Sequence, residues 1–309
     1  MSLVNMLAFI IGLPFVLIKL ALYILFGIIR SFVPMSIWRK KSVEGDICLI
    51  TGAGSGIGRQ IAINFAEQGA DLVLWDVDSA GNKETAQLVR KFGVNVWTYT
   101  CDVSNRQKVY TLAQRVKDEA GTVTILVNNA GIVSGSYFLD LSDEKIMKTM
   151  GVNTMAHFWT LRAFLPDMIK NNQGHVVTVS SLVGEGGIGG MSDYSASKCA
   201  VKGLHESILR ELHMYKSNVK CTVVCPYTVN TGMFNGISVK YQFLLPFITP
   251  EYVGEKVVQA VLTDTDTLYL PPYIFIAVFL MHSLPTNVQL AIENLLNANE
   301  AMKSFVGKR

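Results

Sequence analysis

The sequence predicts an α/β fold, a doubly wound parallel sheet flanked by helices, with a hydrophobic anchor at its N-terminus. Three observations predict it. Short apolar runs alternate with helix-length segments from residue 47 to residue 225, the pattern of a parallel sheet with crossover helices. The first of these runs passes straight into a glycine-rich turn and a helix. A separate, almost wholly apolar stretch, residues 3–29, precedes them all.

That first stretch is broken only by Asn5, Gly12, Pro14 and Lys19. It exceeds the roughly 20 residues that a helix needs to cross a bilayer. No basic segment precedes it and no clean small-x-small site follows, which argues against a cleaved leader. Arg30, Arg39, Lys40 and Lys41 come after it and place the following domain on the cytosolic side. Lys19 and Pro14 keep a leaflet-embedded hairpin in play beside a straight span, and a buried core helix is the non-membrane alternative. Residues 1–42 are therefore read as a membrane anchor and basic linker.

Ile47-Cys48-Leu49-Ile50-Thr51 reads as a strand buried on both faces. It runs into Thr51-Gly52-Ala53-Gly54-Ser55-Gly56-Ile57-Gly58, and a helix from Ile57 to Gln68 is stopped by Gly69. Between strand and helix, glycines let the backbone approach a pyrophosphate, and the helix N-terminus favours its charge. Thr51, Gly52, Ser55, Gly56, Ile57 and Gly58 are thus candidate cofactor-binding residues of a Rossmann-like site. The next strand, residues 71–76, ends in Asp76. A carboxylate at this offset accepts from the ribose hydroxyls and repels a 2′-phosphate, which favours NAD over NADP. A solvated strand-end aspartate is the bland alternative.

A third strand, near residues 94–100, ends in Cys101-Asp102-Val103, with Ser104 positioned to cap a helix to about residue 120. A fourth, residues 124–127, leads into Asn128-Asn129-Ala130-Gly131, a small polar turn at the strand edge where ligands bind in open sheets. A helical stretch, residues 143–170, carries Asn153. A fifth strand, residues 175–181, ends in Ser180-Ser181. A glycine-rich loop, 184–190, then opens a long helix to about residue 215, and a sixth strand, 219–225, ends at Pro226. Residues 227–247 are irregular and aromatic, with Met233, Phe234, Tyr241, Phe243 and Phe247, a composition suited to a lid over an apolar ligand. The apolar run 268–284, broken by Pro271-Pro272, reads as a last strand plus an interfacial or oligomer-forming helix. This gives residues 43–270 as the catalytic domain and 271–309 as a membrane-associated or oligomerisation segment.

A net charge of +3, with no basic run longer than Arg39-Lys40-Lys41, gives nucleic-acid binding no electrostatic support. The five cysteines form no C-x-x-C pair, and the five histidines show no ligand spacing, so neither a disulfide framework nor a metal site is expected.

Met191 to Lys198 holds Tyr194 and Lys198 four residues apart. On a helix they share one face, one turn apart. An ammonium beside a phenol favours the phenolate, and a tuned tyrosine suits proton transfer at a substrate oxygen. Alone, this pair is a chance-level signal and fits an ordinary surface helix equally well.

Taken together, Thr51-Gly52-x-x-x-Gly56-x-Gly58, Asn128-Asn129-Ala130-Gly131, Asn153, Ser181 and Tyr194-x-x-x-Lys198 resemble the short-chain dehydrogenases/reductases, in family order, over about residues 43–270. The family's usual Pro-Gly after the sixth strand is Pro226-Tyr227 here, while Val229 and Thr231 keep the continuing pattern. The resemblance implies catalytic roles for four residues. Tyr194 would take the hydroxyl proton, and Ser181 would hold the substrate oxygen. Lys198 would lower the Tyr194 pKa and bind the nicotinamide ribose, and Asn153 would hold a relay water. It also extends the cofactor set to Asp102, Val103, Asn129, Ala130, Gly131, Val229 and Thr231, with Tyr194 and Lys198 contributing. Leu74-Trp75-Asp76, Phe164-Leu165-Pro166, Thr231-Gly232-Met233-Phe234 and the apolar ends are similar to the membrane-anchored retinol and 17β-hydroxysteroid dehydrogenase group. That likeness implies NAD, with NADP as the alternative, and a lipophilic small-molecule substrate. It further implies an endoplasmic reticulum membrane or lipid-droplet location and a homodimer. An NADP-dependent retinal reductase and a membrane or lipid-droplet scaffold with little turnover are the competing readings.

Overall fold

The computed structural model describes residues 12–23, 25, 35–237, 240 and 246–307. The chain divides into two compact units, Met1–Lys40 and Lys41–Arg309. In the first, residues 12–23 are helical and expose apolar side chains such as Phe15 and Leu17. Lys19 Nζ lies 5.6 Å over the Tyr23 ring. Among the described residues, no helix is long and apolar enough to cross a membrane. Most of the expected anchor, residues 1–11, 24 and 26–34, lies outside the described residues.

The second unit is built on a seven-stranded parallel sheet. In chain order its elements begin with β1 (Ile47–Thr51), α1 (Gly56–Glu67), β2 (Asp71–Asp76), α2 (Ser79–Val89) and β3 (Val96–Thr100). They continue with α3 (Arg106–Glu119), β4 (Ile125–Asn128), α4 (Asp143–Met150), α5 (Ala156–Lys170), β5 (His175–Val179), α6 (Ser192–Met214) and β6 (Lys220–Pro226). The chain closes with α7 (Pro250–Leu262), β7 (Thr267–Leu270), α8 (Ile274–His282) and α9 (Thr286–Leu296). The sheet order is β3-β2-β1-β4-β5-β6-β7. The order reverses between β1 and β4, so a crevice opens there beyond the strands' C-terminal ends.

Helices on both faces explain why the strands read as continuous apolar runs rather than alternating ones. Leu49, Ile50, Leu72, Leu74 and Leu126 are fully buried, each contributing roughly 1.5–3 kcal/mol by leaving water. Trp75 packs against Phe164 of α5 with ring centroids 5.8 Å apart.

Three local features differ from the sequence reading. The helix after β3 is capped by Asn105, whose side chain accepts from Lys108 N–H at 3.0 Å, rather than by Ser104. Ser104 instead donates its hydroxyl to Asp102 at 2.6 Å. The stretch 143–170 is two α-helices joined by a π-turn, Gly151–Met155. Finally, α7 was not anticipated, although its signals are present. Thr249 Oγ1 accepts from Tyr252 N–H at 3.2 Å, Pro250 opens the helix and Glu251 sits in the first turn.

Candidate active site

Ser181, Tyr194 and Lys198 converge at the C-terminal edge of β5. Ser181 lies just beyond β5 in extended backbone, and Tyr194 and Lys198 lie on one face of α6. All three are buried; Tyr194 is 5% exposed and Lys198 3%. The Ser181 hydroxyl hydrogen-bonds the Tyr194 phenol. Lys198 Nζ donates to Val179 O at 2.9 Å and sits 5.6 Å from the Tyr194 ring centroid.

Burial sets the protonation of this group. It pushes the Tyr194 phenol up to about 12, against the Ser181 hydrogen bond, which lowers it. It brings the Lys198 ammonium down to about 8, against a smaller upward push from Cys225. Lys198 thus does not produce the expected lowering of the Tyr194 pKa. Desolvation of the phenol outweighs its neighbours, and the lysine's hydrogen bond goes to Val179.

Asn153 occupies the π-turn and is fully buried. Its Oδ1 accepts from Ile132 N–H at 2.8 Å, and its Nδ2 donates to Ile132 O at 2.9 Å and to Ser197 Oγ at 3.0 Å. Ser197 Oγ in turn donates to Tyr194 O at 2.6 Å. The carboxamide thus ties the segment after β4 to the turn of α6 that carries Tyr194. Nothing in the sequence pattern singled out Ser197 for this. A Cβ at Gly131 would lie 3.5 Å from both Asn153 Oδ1 and Lys198 Nζ, so its bare backbone faces the two together.

The cofactor candidates gather at the crevice. Thr51 Oγ1 accepts from Asn129 N–H at 3.0 Å and Ala130 N–H at 3.1 Å, and Asn129 Nδ2 donates to Thr51 O at 2.9 Å. These bonds lock the β4 turn to the β1 turn. A Cβ at Gly58 would strike the Gly52 carbonyl oxygen and lie 2.7 Å from Asn129 Nδ2, so this close approach needs glycine. Gly56 takes φ +55° and faces the Thr231 methyl, and Thr231 N–H donates to Val229 O at 2.9 Å. Ser55 is the N-cap of α1 and Ile57 sits in its first turn. Asp76 accepts from Gly54 N–H at 2.7 Å and Asp78 N–H at 2.9 Å, which leaves carboxylate lone pairs for ribose hydroxyls. Asp102 is exposed at the β3 end, while the Val103 side chain packs in the core with Trp75 and Tyr99. A helix N-terminus, a glycine cradle and a strand-end carboxylate suit a dinucleotide.

The surroundings of Tyr194 are apolar. Val183, Met191, Tyr194 and Met302 form one buried cluster, with Val133, Ile188, Phe234, Ile237 and Phe305 packed on it. Phe234 meets the Tyr194 ring edge-on at 5.8 Å, in keeping with its expected place in a lid. Tyr241 and Phe243 of that stretch lie outside the described residues. Met302 and Phe305 carry no signal in the sequence. Behind the cluster, Glu185 accepts from the Tyr269 hydroxyl at 2.9 Å and pairs with Lys202, joining the Ser181 loop to β7 and α6.

The family model described as short chain dehydrogenase matches residues 46–242. Epidermal retinol dehydrogenase 2 of Homo sapiens is 46% identical over 272 residues, covering 87% of this chain and 88% of that protein. A short chain dehydrogenase/reductase from Burkholderia phymatum, solved in complex with NAD, superposes with a TM-score of 0.72 at 29% identity, covering 79% of this chain and 95% of its own. A metagenomic short-chain oxidoreductase solved with NADP gives 0.62 at 27% identity, covering 74% and 96%.

Proposed function

The chain belongs to the short chain dehydrogenase family, and from that premise we propose how its residues perform a retinol dehydrogenase reaction. The protein is an NAD(P)-dependent oxidoreductase acting on CH–OH groups, and its substrate is a lipophilic alcohol or carbonyl of the retinol/retinal type. The observation that carries the mechanism is the buried Tyr194 phenol, hydrogen-bonded to Ser181 with Lys198 one helical turn away.

When bound, the nicotinamide supplies the hydride acceptor or donor. Every other part of the step falls to this chain. Ser181 holds the substrate oxygen, and Tyr194 takes its proton in oxidation or returns it in reduction. Lys198 steadies the negative charge that develops on the phenolate. Asn153 keeps Ile132 and Ser197 in place, so its role is positional. The glycine turn and the α1 N-terminus receive the pyrophosphate, and Asp76 receives the adenosine ribose, which weights the choice toward NAD.

Anchoring through residues 1–42, an endoplasmic reticulum membrane or lipid-droplet location with the second unit facing the cytosol, and a homodimer complete the proposal. An apolar run of spanning length supports the first. α8, apolar nearly throughout with Phe279 and Leu280 exposed, supports a further membrane contact in 271–309. Retention of the full chain in alkaline-washed membranes, and release of a version lacking residues 1–42, tests the anchor. Release of both versions would remove it.

The reaction is tested in membranes supplied with NAD or NADP and all-trans-retinol, with Tyr194→Phe as the control. The variant is expected to lose at least ~10²-fold in turnover while still binding NAD. Wild-type turnover in that variant would overturn the assignment.

A further inference from the structure

The segment 298–307 lies as a strap across the apolar cluster that covers Tyr194. Met302 is 4% exposed and buried with Val183, Met191 and Tyr194, and Phe305 packs on the same cluster. The strap is held by backbone and side-chain bonds to the loop after β6. Val306 N–H donates to Asn235 O at 2.9 Å, Gly307 N–H to the same oxygen at 3.2 Å, and Ser304 Oγ to Gly236 O at 2.5 Å.

Three glycines from three different loops make room for it. A Cβ at Gly135, after β4, would enter the Phe305 ring. One at Gly190, before α6, would lie 2.8 Å from Met302 Cβ. One at Gly236, after β6, would strike Ser304 O and lie 3.0 Å from Val306 N. These loops come from either side of the cleft in which Tyr194 and Ser181 meet the substrate oxygen. The strap thus closes over the cluster that holds Tyr194, and Met302 and Phe305 are the two side chains it contributes there.

We infer that Met302 and Phe305 are specificity-determining residues: they form the closing wall of the alcohol cleft and set how bulky an apolar alcohol can lie against Tyr194. The inference rests on the dehydrogenase reading above. Both side chains pack in the cluster that covers Tyr194, so how far they yield sets the room for an alcohol at the phenol. A thioether with three rotatable bonds yields more readily than a branched or aromatic side chain. A slender, flat polyene alcohol needs less displacement than a rigid fused-ring alcohol. The wall therefore selects by cross-section, without any polar contact to the substrate.

The test is a pair of opposite volume changes read with two alcohols, all-trans-retinol and 17β-estradiol, with NAD. A methylene's worth of pocket space commonly discriminates by roughly 10–200-fold in kcat/KM. Met302→Ala and Phe305→Ala are each expected to raise the estradiol-to-retinol ratio of kcat/KM at least ~10-fold. Met302→Trp is expected to lower kcat/KM for retinol by a similar factor. NAD affinity, read by nicotinamide-independent quenching of protein fluorescence, should stay within about twofold, because neither residue touches the glycine cradle. If the alanine variants fail to bind NAD, Met302→Leu and Phe305→Leu carry the test with smaller shifts in the same direction. A ratio unchanged within about threefold in every NAD-binding variant overturns the wall. If wild type turns over neither alcohol with NAD or NADP, the dehydrogenase reading falls, and this inference with it.

Discussion

Replacing Lys198 with methionine should uncouple stability from activity in a way that depends on pH. In the folded chain, burial lowers the ammonium from its ordinary 10.5 to about 8. At about 1.4 kcal/mol per unit, keeping it charged at pH 7 costs the fold about 3 kcal/mol. Because the folded pKa is depressed, the unfolded chain binds more protons between about pH 8 and pH 10.5, so this lysine's penalty shrinks as pH rises through that window. By pH 10 about 1 kcal/mol remains. Lys198→Met has no such penalty, though it leaves Val179 O without its donor, a loss independent of pH. Measured against the variant, ligand-free wild type should therefore gain about 2 kcal/mol between pH 7 and pH 10. For a domain of this size that is roughly 4–8 °C in the gap between the two melting temperatures. The assay is thermal unfolding of both proteins, without nicotinamide, at half-unit pH steps. A gap that stays flat from pH 7 to pH 10 would show that Lys198 is not held near 8, and the electrostatic account of the site would go with it. The variant should be inactive at every pH.

Three further outcomes follow from the same geometry. Asp76→Ala should lower the NAD-to-NADP ratio of kcat/KM at least ~10-fold, because it removes the carboxylate that accepts ribose hydroxyls and repels a 2′-phosphate; a wild type already preferring NADP would contradict this role. Asn153→Ala strands the Ile132 N–H and C=O and should cost about 3 kcal/mol, read as a fall of roughly 6–12 °C in melting temperature. Lost activity with an unchanged melting temperature would instead give Asn153 a direct part in proton transfer. Gly58→Ala should abolish NAD binding, since its Cβ would collide with the Gly52 carbonyl; isothermal titration with NAD checks it, and retained affinity would mean the turn relaxes.

Much of this was legible in the sequence, and for identifiable reasons. Strands buried on both faces leave uninterrupted apolar runs, so β1 and β2 could be bounded to the residue. Glycines forced by close approach leave a spacing, as at Gly52, Gly56 and Gly58. Less legible were features whose cause lies far away in the chain. Met302 and Phe305 look like any apolar residues until the three glycines beneath them are seen in space. Asn153 reads as a helix polar residue, and only the fold reveals that its carboxamide is consumed by Ile132 and Ser197. The Tyr194 pKa could not be read from the neighbouring lysine, because the depth of burial, not the spacing, dominates it. The helix α7 was missed for a different reason: it follows a long aromatic loop whose irregularity masked the Thr249 cap and Pro250.

The π-turn at Gly151–Met155 has a bearing on how the chain tolerates length changes. A wide turn carries one residue more than the α-helical count and takes it up locally, whereas each residue of a regular helix is worth about 100° of rotation. Deleting a single residue within the turn would leave one continuous α-helix, with α4 and α5 near their present phase. Deleting one inside α4 or α5 instead swings the residues on its two sides against each other by that angle. Thr149 of α4 and His157, Thr160, Leu161 and Phe164 of α5, which now face inward, could then no longer all be buried. A one-residue deletion scan across 143–170 should therefore retain most folded protein at the turn and lose most within the two helices.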